Sequence, residues 1–146
     1  PAHSMRGGRI LVRGRVGYRA GIHMKAFRDH FPVLVVGETT GDYAGEYMAG
    51  GVIVVLNRGE QRESPVGMCL GTGMHGGTIY VRGSVEPHQL GEELGREEIT
   101  DEDAEQLNDY IGEYCERFGV DLDISPDEFT KFVPTTSRPY GKLYAY

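Results

Sequence analysis

Residues 41–55 read GDYAGEYMAGGVIVV, and residues 67–81 repeat the same pattern as GMCLGTGMHGGTIYV. Both copies follow Gly-x3-Gly-x2-Met-x-Gly-Gly and continue into an apolar run that is typical of a short strand. Part of the pattern already occurs earlier, at Gly17, Gly21 and Met24. A recurring period of this length is the signature of stacked-repeat architectures, so the sequence predicts that these segments lie one above another.

The glycines and methionines of the pattern are the candidate structural residues of the chain. They are Gly17, Gly21, Met24, Gly41, Gly45, Met48, Gly50, Gly51, Gly67, Gly71, Met74, Gly76 and Gly77. We expect the glycines at corners where positive φ or close backbone approach excludes a Cβ, and the methionines in a buried column. Asn57 ends its strand where other repeats have glycine, and asparagine tolerates left-handed geometry better than most residues.

Short strands between glycine corners indicate a β-helix or β-solenoid of about four coils, hence an all-β fold. Insertions at 25–32 and 58–65 account for the unequal spacing of the repeats. Aligning the coils predicts two inward columns and one apolar outward row. The inward columns are Ile10, Val33, Ile53, Ile79 and Val12, Val35, Val55, Val81; the outward row is Leu11, Leu34, Val54, Tyr80. An apolar outward row suggests that another element covers that face.

The composition divides the chain into three segments. Residues 1–83 are the glycine-repeat β-helix, residues 84–128 an acidic helical cap of the same domain, and residues 129–146 a basic, aromatic, extended tail. A capping box at Thr100 and Asp103 and a stop at Gly119 predict a helix over 101–118. A shorter helix is expected after Ser125. We expect the long helix to cover an open end of the stack, where strand edges would otherwise be unpaired.

Size and charge exclude several classes of protein. The 146 residues fit one domain, and no apolar stretch is long enough to cross a membrane. The chain begins without the features of a signal peptide, and its two cysteines have no metal-ligand spacing, so we expect reduced thiols in a cytoplasmic protein. Net charge is −7, and the acidic segment argues against nucleic-acid binding and suggests a docking face for a basic partner.

The sequence contains no recognisable catalytic or binding motif in its required context. Residues 71–76 fit GxGxxG, but a dinucleotide fingerprint requires a strand before the motif and a helix after it, whereas a strand is expected to follow here. His75 and Cys69 occupy corner positions without an orienting partner. We therefore predict no catalytic, cofactor-binding or metal-binding residues in this chain.

The repeat and the tail together resemble a known family. Residues 41–51 and 73–83 are similar to the glycine-repeat (GXGXG) β-helix domain at the C-terminal end of the glutamate synthase large chain. Residues 129–146, FTKFVPTTSRPYGKLYAY, are similar to the ending of the stand-alone, archaeal-type version of that domain. The repeat alone is shared with a β-helix subunit of formylmethanofuran dehydrogenase. The likeness covers nearly the whole chain, although about four coils are fewer than the fused domain has, which suggests a short version or a trimmed chain.

The resemblance implies a right-handed single-stranded β-helix that packs against glutaminase and FMN-containing synthase domains. Those domains make glutamate from glutamine and 2-oxoglutarate, and FMN and an iron–sulfur cluster are expected in the synthase partner. The β-helix domain of the family is non-catalytic, so this chain is expected to be a structural assembly subunit or domain. Two alternatives stay open: a formylmethanofuran dehydrogenase subunit, and a homo-oligomeric scaffold that uses the outward apolar row.

Overall fold

The computed structural model describes residues 1–59 and 64–135. It contains strands, one α-helix and two short 3-10 turns in the order β1 (Arg9–Val12), β2 (Val33–Val36), β3 (Ala49–Val55), β4 (Gly76–Arg82), a turn at Pro87–Gln89, β5 (Leu94–Glu97), α1 (Asp101–Phe118), a turn at Pro126–Glu128, and β6 (Phe129–Pro134). The strands form a six-stranded sheet in the order β1-β2-β3-β4-β6-β5.

The predicted fold class is wrong. Over the described residues, the chain forms a mixed sheet with one α-helix, and is neither all-β nor a right-handed single-stranded β-helix. The four repeat strands β1 to β4 pair in parallel, while β6 lies antiparallel between β4 and β5. The repeat pattern specifies how the repeats pair with one another. It carries no signal for the later segment that returns and extends the sheet, and pairing between distant segments decides the topology.

The predicted register is wrong by one residue in β2. Leu34, not Val33, pairs between Ile10 and Ile53, and Val36, not Val35, pairs between Val12 and Val55. Leu34 lies ten positions after Met24, whereas Ile10 lies five positions after Met5. The insertion that begins at residue 25 is therefore one residue longer than predicted. Because side chains alternate between faces, this shift moves the β2 side chains to the opposite face of the sheet.

Each face of the sheet has its own apolar core. One core contains the buried methionines of the repeats together with Leu34, Ile53 and Ile79. The other contains Val35, Val54 and Tyr80, packed against Leu107, Ile111 and Tyr114 of α1. The helix therefore covers Leu11, Val54 and Tyr80 of the predicted outward row. The prediction is wrong for Leu34, which lies in the core on the opposite face, and Val35 takes its place. The basis for a self-interface along that row is removed.

Helix α1 has the predicted bounds because local signals fix both its ends. The Thr100 hydroxyl accepts a hydrogen bond from Asp103 N, and the Asp103 carboxylate accepts one from Thr100 N. Gly119 ends the helix in the left-handed region with φ 65°. The shorter helix expected after Ser125 is a 3-10 turn over Pro126–Glu128. No helix in the described ranges is long and apolar enough to span a membrane.

The edge of β4 is covered by a strand from the segment predicted as a tail. Strand β6 pairs with β4, with Ile79 opposite Phe132 and Val81 opposite Thr130. The covering role expected of the helix at a strand edge thus falls to β6, while α1 lies on a face of the sheet. The remainder of the predicted tail, residues 136–146, lies outside the described residues, and the division into three segments stays a prediction.

Candidate functional site

The turns of successive repeats are joined by backbone hydrogen bonds. In the middle repeat, Tyr43 N donates to Met68 O at 2.9 Å and Gly45 N donates to Ala20 O at 2.8 Å. Tyr43 N thus points to the following repeat and Gly45 N to the preceding one. Along each turn, every second residue has positive φ. These residues are Arg19, Gly21, His23, Tyr43, Gly45, Tyr47, Cys69, Gly71 and Gly73. The shared backbone shape holds three turns in register.

The structure places the predicted structural residues in these turns and at the strand entries. Gly45 has φ 73°, and a Cβ there would lie 2.8 Å from the Cδ1 atom of Ile79. At Gly50, close contact alone excludes a side chain, since a Cβ there would lie 2.5 Å from Ala26 N. Gly17 differs, because its Cβ would meet nothing within 4 Å. The repeat methionines Met24, Met48 and Met74 are buried.

A cavity of about 360 Å³ lies beside the turns. It is lined by Arg15, Thr39, Thr40, Gly41, Asp42, Ser64, Val66, Gly67 and Gln89. Arg15 follows β1, Thr40 follows β2, Ser64 follows β3 and Gln89 follows β4. The carboxyl ends of four parallel strands therefore lead to one cavity, an arrangement that often forms ligand sites in open α/β sheets.

Hydrogen bonds fix two polar side chains of the cavity wall. The buried Gln89 donates from Nε2 to Ser64 Oγ at 2.8 Å and to Val66 O at 3.0 Å, and its Oε1 accepts from Glu86 N at 2.9 Å. Asp42 Oδ1 accepts from Met68 N at 2.8 Å. Because the partners include backbone groups of neighbouring turns, the polar wall is held in place before any ligand binds.

Two other polar groups of the cavity lack protein partners. Thr40 is only 5% exposed, and its hydroxyl has no hydrogen-bond partner among the described residues. The exposed Arg15 guanidinium makes no hydrogen bond or ion pair to that same part of the chain. Buried hydroxyls are usually paired, so an unpaired one beside a cavity is informative. The cavity offers one cation, one carboxylate, hydroxyls and an amide to a small polar molecule.

A second polar cluster joins the sheet to α1. The Tyr80 hydroxyl donates to Asp103 Oδ1 at 2.6 Å, and Lys131 Nζ donates to Asp103 Oδ2 at 2.9 Å. Burial raises the pKa of Tyr80, and its hydrogen bond to Asp103 raises it further. Burial alone would raise the pKa of Asp103, but hydrogen bonds from Thr100, Tyr80 and Lys131 outweigh it and lower that pKa to about 2. Tyr80, Asp103 and Lys131 are thus hydrogen-bonded to one another, and they hold the start of the helix against β4 and β6.

The GxGxxG match at residues 71–76, Cys69 and His75 lie in and directly after the stacked turns. Residues 71–76 lead directly into β4, so the strand expected after the GxGxxG match is present. Cys69 is partly buried at φ 60°, and His75 N donates to Met48 O at 2.7 Å. Across the described ranges, no three His, Cys, Asp or Glu side chains are grouped to hold a metal. The expected lack of catalytic, cofactor and metal residues stays a prediction.

The cavity residues were missed by sequence reasoning. Arg15, Thr40 and Gln89 are spread over 75 positions and belong to no motif. The signal that could have found them is positional, since each follows the apolar run of a different repeat. Only a correct parallel pairing brings those positions together.

Four parallel strands joined by stacked glycine-rich turns, with a helix on one face, define a glycine-repeat domain. The model of the GXGXG motif family matches residues 1–135, and the chain belongs to this family.

The relatives connect this domain to glutamate synthases. The chain is 49% identical to uncharacterized protein MJ1350 of Methanocaldococcus jannaschii, over 88% of this chain and 52% of that protein. It is 36% identical to ferredoxin-dependent glutamate synthase 2 of Synechocystis, over 77% of this chain and 7% of that enzyme. With the chloroplastic ferredoxin-dependent glutamate synthase of Spinacia oleracea it shares 40% identity, over 51% and 4%. The chain thus spans about half of the archaeal relative and a small part of the enzymes.

Proposed function

We propose that this chain is a non-catalytic assembly domain or subunit of a glutamate synthase-related complex, packing against glutaminase and FMN-containing synthase domains. One observation carries the proposal: the domain matches only 7% of the Synechocystis glutamate synthase, yet that match covers 77% of this chain. In such an enzyme, the same domain is a small part of a chain that is mostly other domains. A domain that occurs as a small part of a much longer chain is suited to contact larger neighbouring domains.

Exposed aromatic side chains support a docking role. Tyr18 is 71% exposed, Phe27 48% and Tyr47 47%. Exposed aromatic groups are enriched where proteins contact one another, since they bury much area at low entropic cost. An iron–sulfur cluster usually needs four thiolates and this chain has two cysteines, so we assign the cluster to the partner. FMN is assigned to the synthase domain as part of the same proposal. The free thiols Cys69 and Cys115 fit the cytoplasmic location that forms part of the proposal.

Co-purification tests the proposal. The tagged chain is co-expressed with glutaminase and FMN synthase domains encoded in the same genome, and complexes are weighed by light scattering after gel filtration. We expect a stoichiometric complex that contains the flavin, and a colourless chain when it is purified alone. The variant Tyr18→Ser/Phe27→Ser tests the docking surface, with the unaltered chain as its control. It keeps the buried core and should weaken the complex.

Three results would contradict the proposal. FMN bound to the isolated chain, or glutaminase turnover by it, would show that the chemistry resides here. The failure of either enzyme domain to bind would remove the assembly role. Recovery of a molybdenum or tungsten enzyme would instead favour the formylmethanofuran dehydrogenase alternative.

A further inference from the structure

We propose that the cavity bounded by Arg15, Thr40, Asp42 and Gln89 binds a small zwitterion of the α-amino acid class. The ligand carboxylate lies against the Arg15 guanidinium and its ammonium group against Asp42. This site goes beyond the assembly role and does not depend on it.

The charges of the lining select the class of ligand. Among the described residues that line the cavity, Arg15 is the cation and Asp42 the carboxylate; the others carry hydroxyl or amide groups or are valine or glycine. A dianion would gain from Arg15 but would be repelled by Asp42, and a simple amine would meet the reverse problem. A molecule with one positive and one negative group satisfies both. Guanidinium groups pair with carboxylates through two parallel hydrogen bonds, which also fixes orientation.

The size of the cavity limits the ligand to a small molecule. Ligand pockets usually measure about 300–1,000 Å³, and this one is near the lower end at about 360 Å³. An amino acid with a short or medium side chain fits this space. The volume therefore agrees with the charges.

The cavity wall is arranged to receive polar groups. Gln89 donates a hydrogen bond to Val66 O, and Asp42 accepts one from Met68 N. Both side chains are therefore already ordered before a ligand binds. Asp42 Oδ1 is occupied by that bond, and no bond of Oδ2 to the described residues occurs. The buried Thr40 hydroxyl also lacks a partner there. A bound ammonium or carboxylate group, directly or through water, would supply the missing partners.

Titration calorimetry with defined probes tests the site. The probes are L-alanine, L-glutamine and L-glutamate, with 2-oxoglutarate as a ligand without ammonium and putrescine as a ligand without carboxylate. We expect at least one amino acid to bind, and both controls to bind at least about tenfold more weakly, because each loses one charged contact. Equal binding of 2-oxoglutarate would overturn the assignment of Asp42 to the ammonium group.

Two substitutions assign the charged contacts. Arg15→Gln and Asp42→Asn should each weaken amino acid binding by about tenfold or more. Asp42→Asn retains a carbonyl oxygen that can accept from Met68 N, so the turn is preserved. The matched controls are Arg13→Gln and Asp29→Asn, which change exposed charges outside the cavity and should bind like the unaltered chain.

A direct spectroscopic reading keeps the proposal testable if a variant does not fold. The side-chain amide of Gln89 in the unaltered protein should shift in nitrogen–proton correlation spectra as the amino acid is added. Saturation of that shift at the calorimetric affinity supports the site. No binding of any of the three amino acids, or binding without a shift of the Gln89 amide, would overturn it.

Discussion

A single carboxylate, Asp103, joins three elements of the molecule. It caps α1 through Thr100 N, accepts from Tyr80 of β4 and pairs with Lys131 of β6. It is 7% exposed, so removing one partner would leave polar groups buried without compensation. The residue therefore does more than cap a helix, because its charge fixes the helix start against two strands.

The lowered pKa of Asp103 predicts how stability depends on pH. The folded-state pKa is about 2 against a usual 3.8, so protonation is harder in the folded protein than in the unfolded one. The stabilisation, about 2 kcal/mol, is therefore complete above about pH 4 and is lost as pH falls through 2. Urea unfolding at several pH values measures it. The Asp103→Asn variant is the reference, and its deficit in free energy of unfolding should shrink by about that amount at low pH. A constant deficit from pH 6 to pH 2 would contradict the assignment.

Gly50 shows how close contact can exclude a side chain. A Cβ at this position would lie 2.5 Å from Ala26 N and 2.9 Å from Ala26 Cβ. We expect Gly50→Val to destabilise the protein by about 3 kcal/mol or more, because backbone of the adjacent repeat must move. The control is Gly17→Val, whose Cβ meets nothing within 4 Å, and which should change stability by no more than about 1 kcal/mol. Thermal melting compares the two variants. Equal melting temperatures would show that the close contact at Gly50 does not determine stability.

At the scale of elements, α1 is held to the sheet by its apolar side. Leu107 is fully buried in the core between the helix and the sheet. We expect Leu107→Ala to cost about 2–5 kcal/mol, because the cavity left behind cannot close completely in a packed core. Denaturant unfolding measures the loss. A cost below about 1 kcal/mol would indicate that the helix packs only loosely on the sheet.

The outer side of the same helix offers the opposite test. Gly112 lies in the helix interior, is exposed, and has no atom within 4 Å of its missing Cβ. Gly112→Ala should stabilise the protein by about 0.5–1 kcal/mol, because alanine loses less conformational freedom in a helix. The midpoint of denaturant unfolding should rise while its slope stays the same. A lower midpoint would show that this face makes a contact.

For the whole molecule, what the sequence predicts depends on the range of the signal. The bounds of α1 follow from Thr100, Asp103 and Gly119, which act within a few residues. The parallel stacking follows from the repeat itself. The register of β2 depends on the exact length of the insertion before Leu34. An error of one residue in that length assigns the β2 side chains to the wrong faces of the sheet.

The remaining features depend on pairings between distant segments, which no local pattern reveals. Strand β6 reads as a tail because its pairing partner, β4, is about 50 residues earlier in the chain. The cavity is hidden for the same reason. Arg15 and Gln89 meet only after four strands have paired, so its residues share no motif.

The position of β6 has a consequence for the order of synthesis. As the chain leaves the ribosome, the four parallel strands are complete at Arg82, but the outer edge of β4 stays unpaired until Phe129–Pro134 has emerged. Late, long-range pairing is slow, and a nascent sheet with an open edge is prone to associate with its neighbours. The speed of translation over residues 83–134 therefore sets how long that edge of β4 stays unpaired.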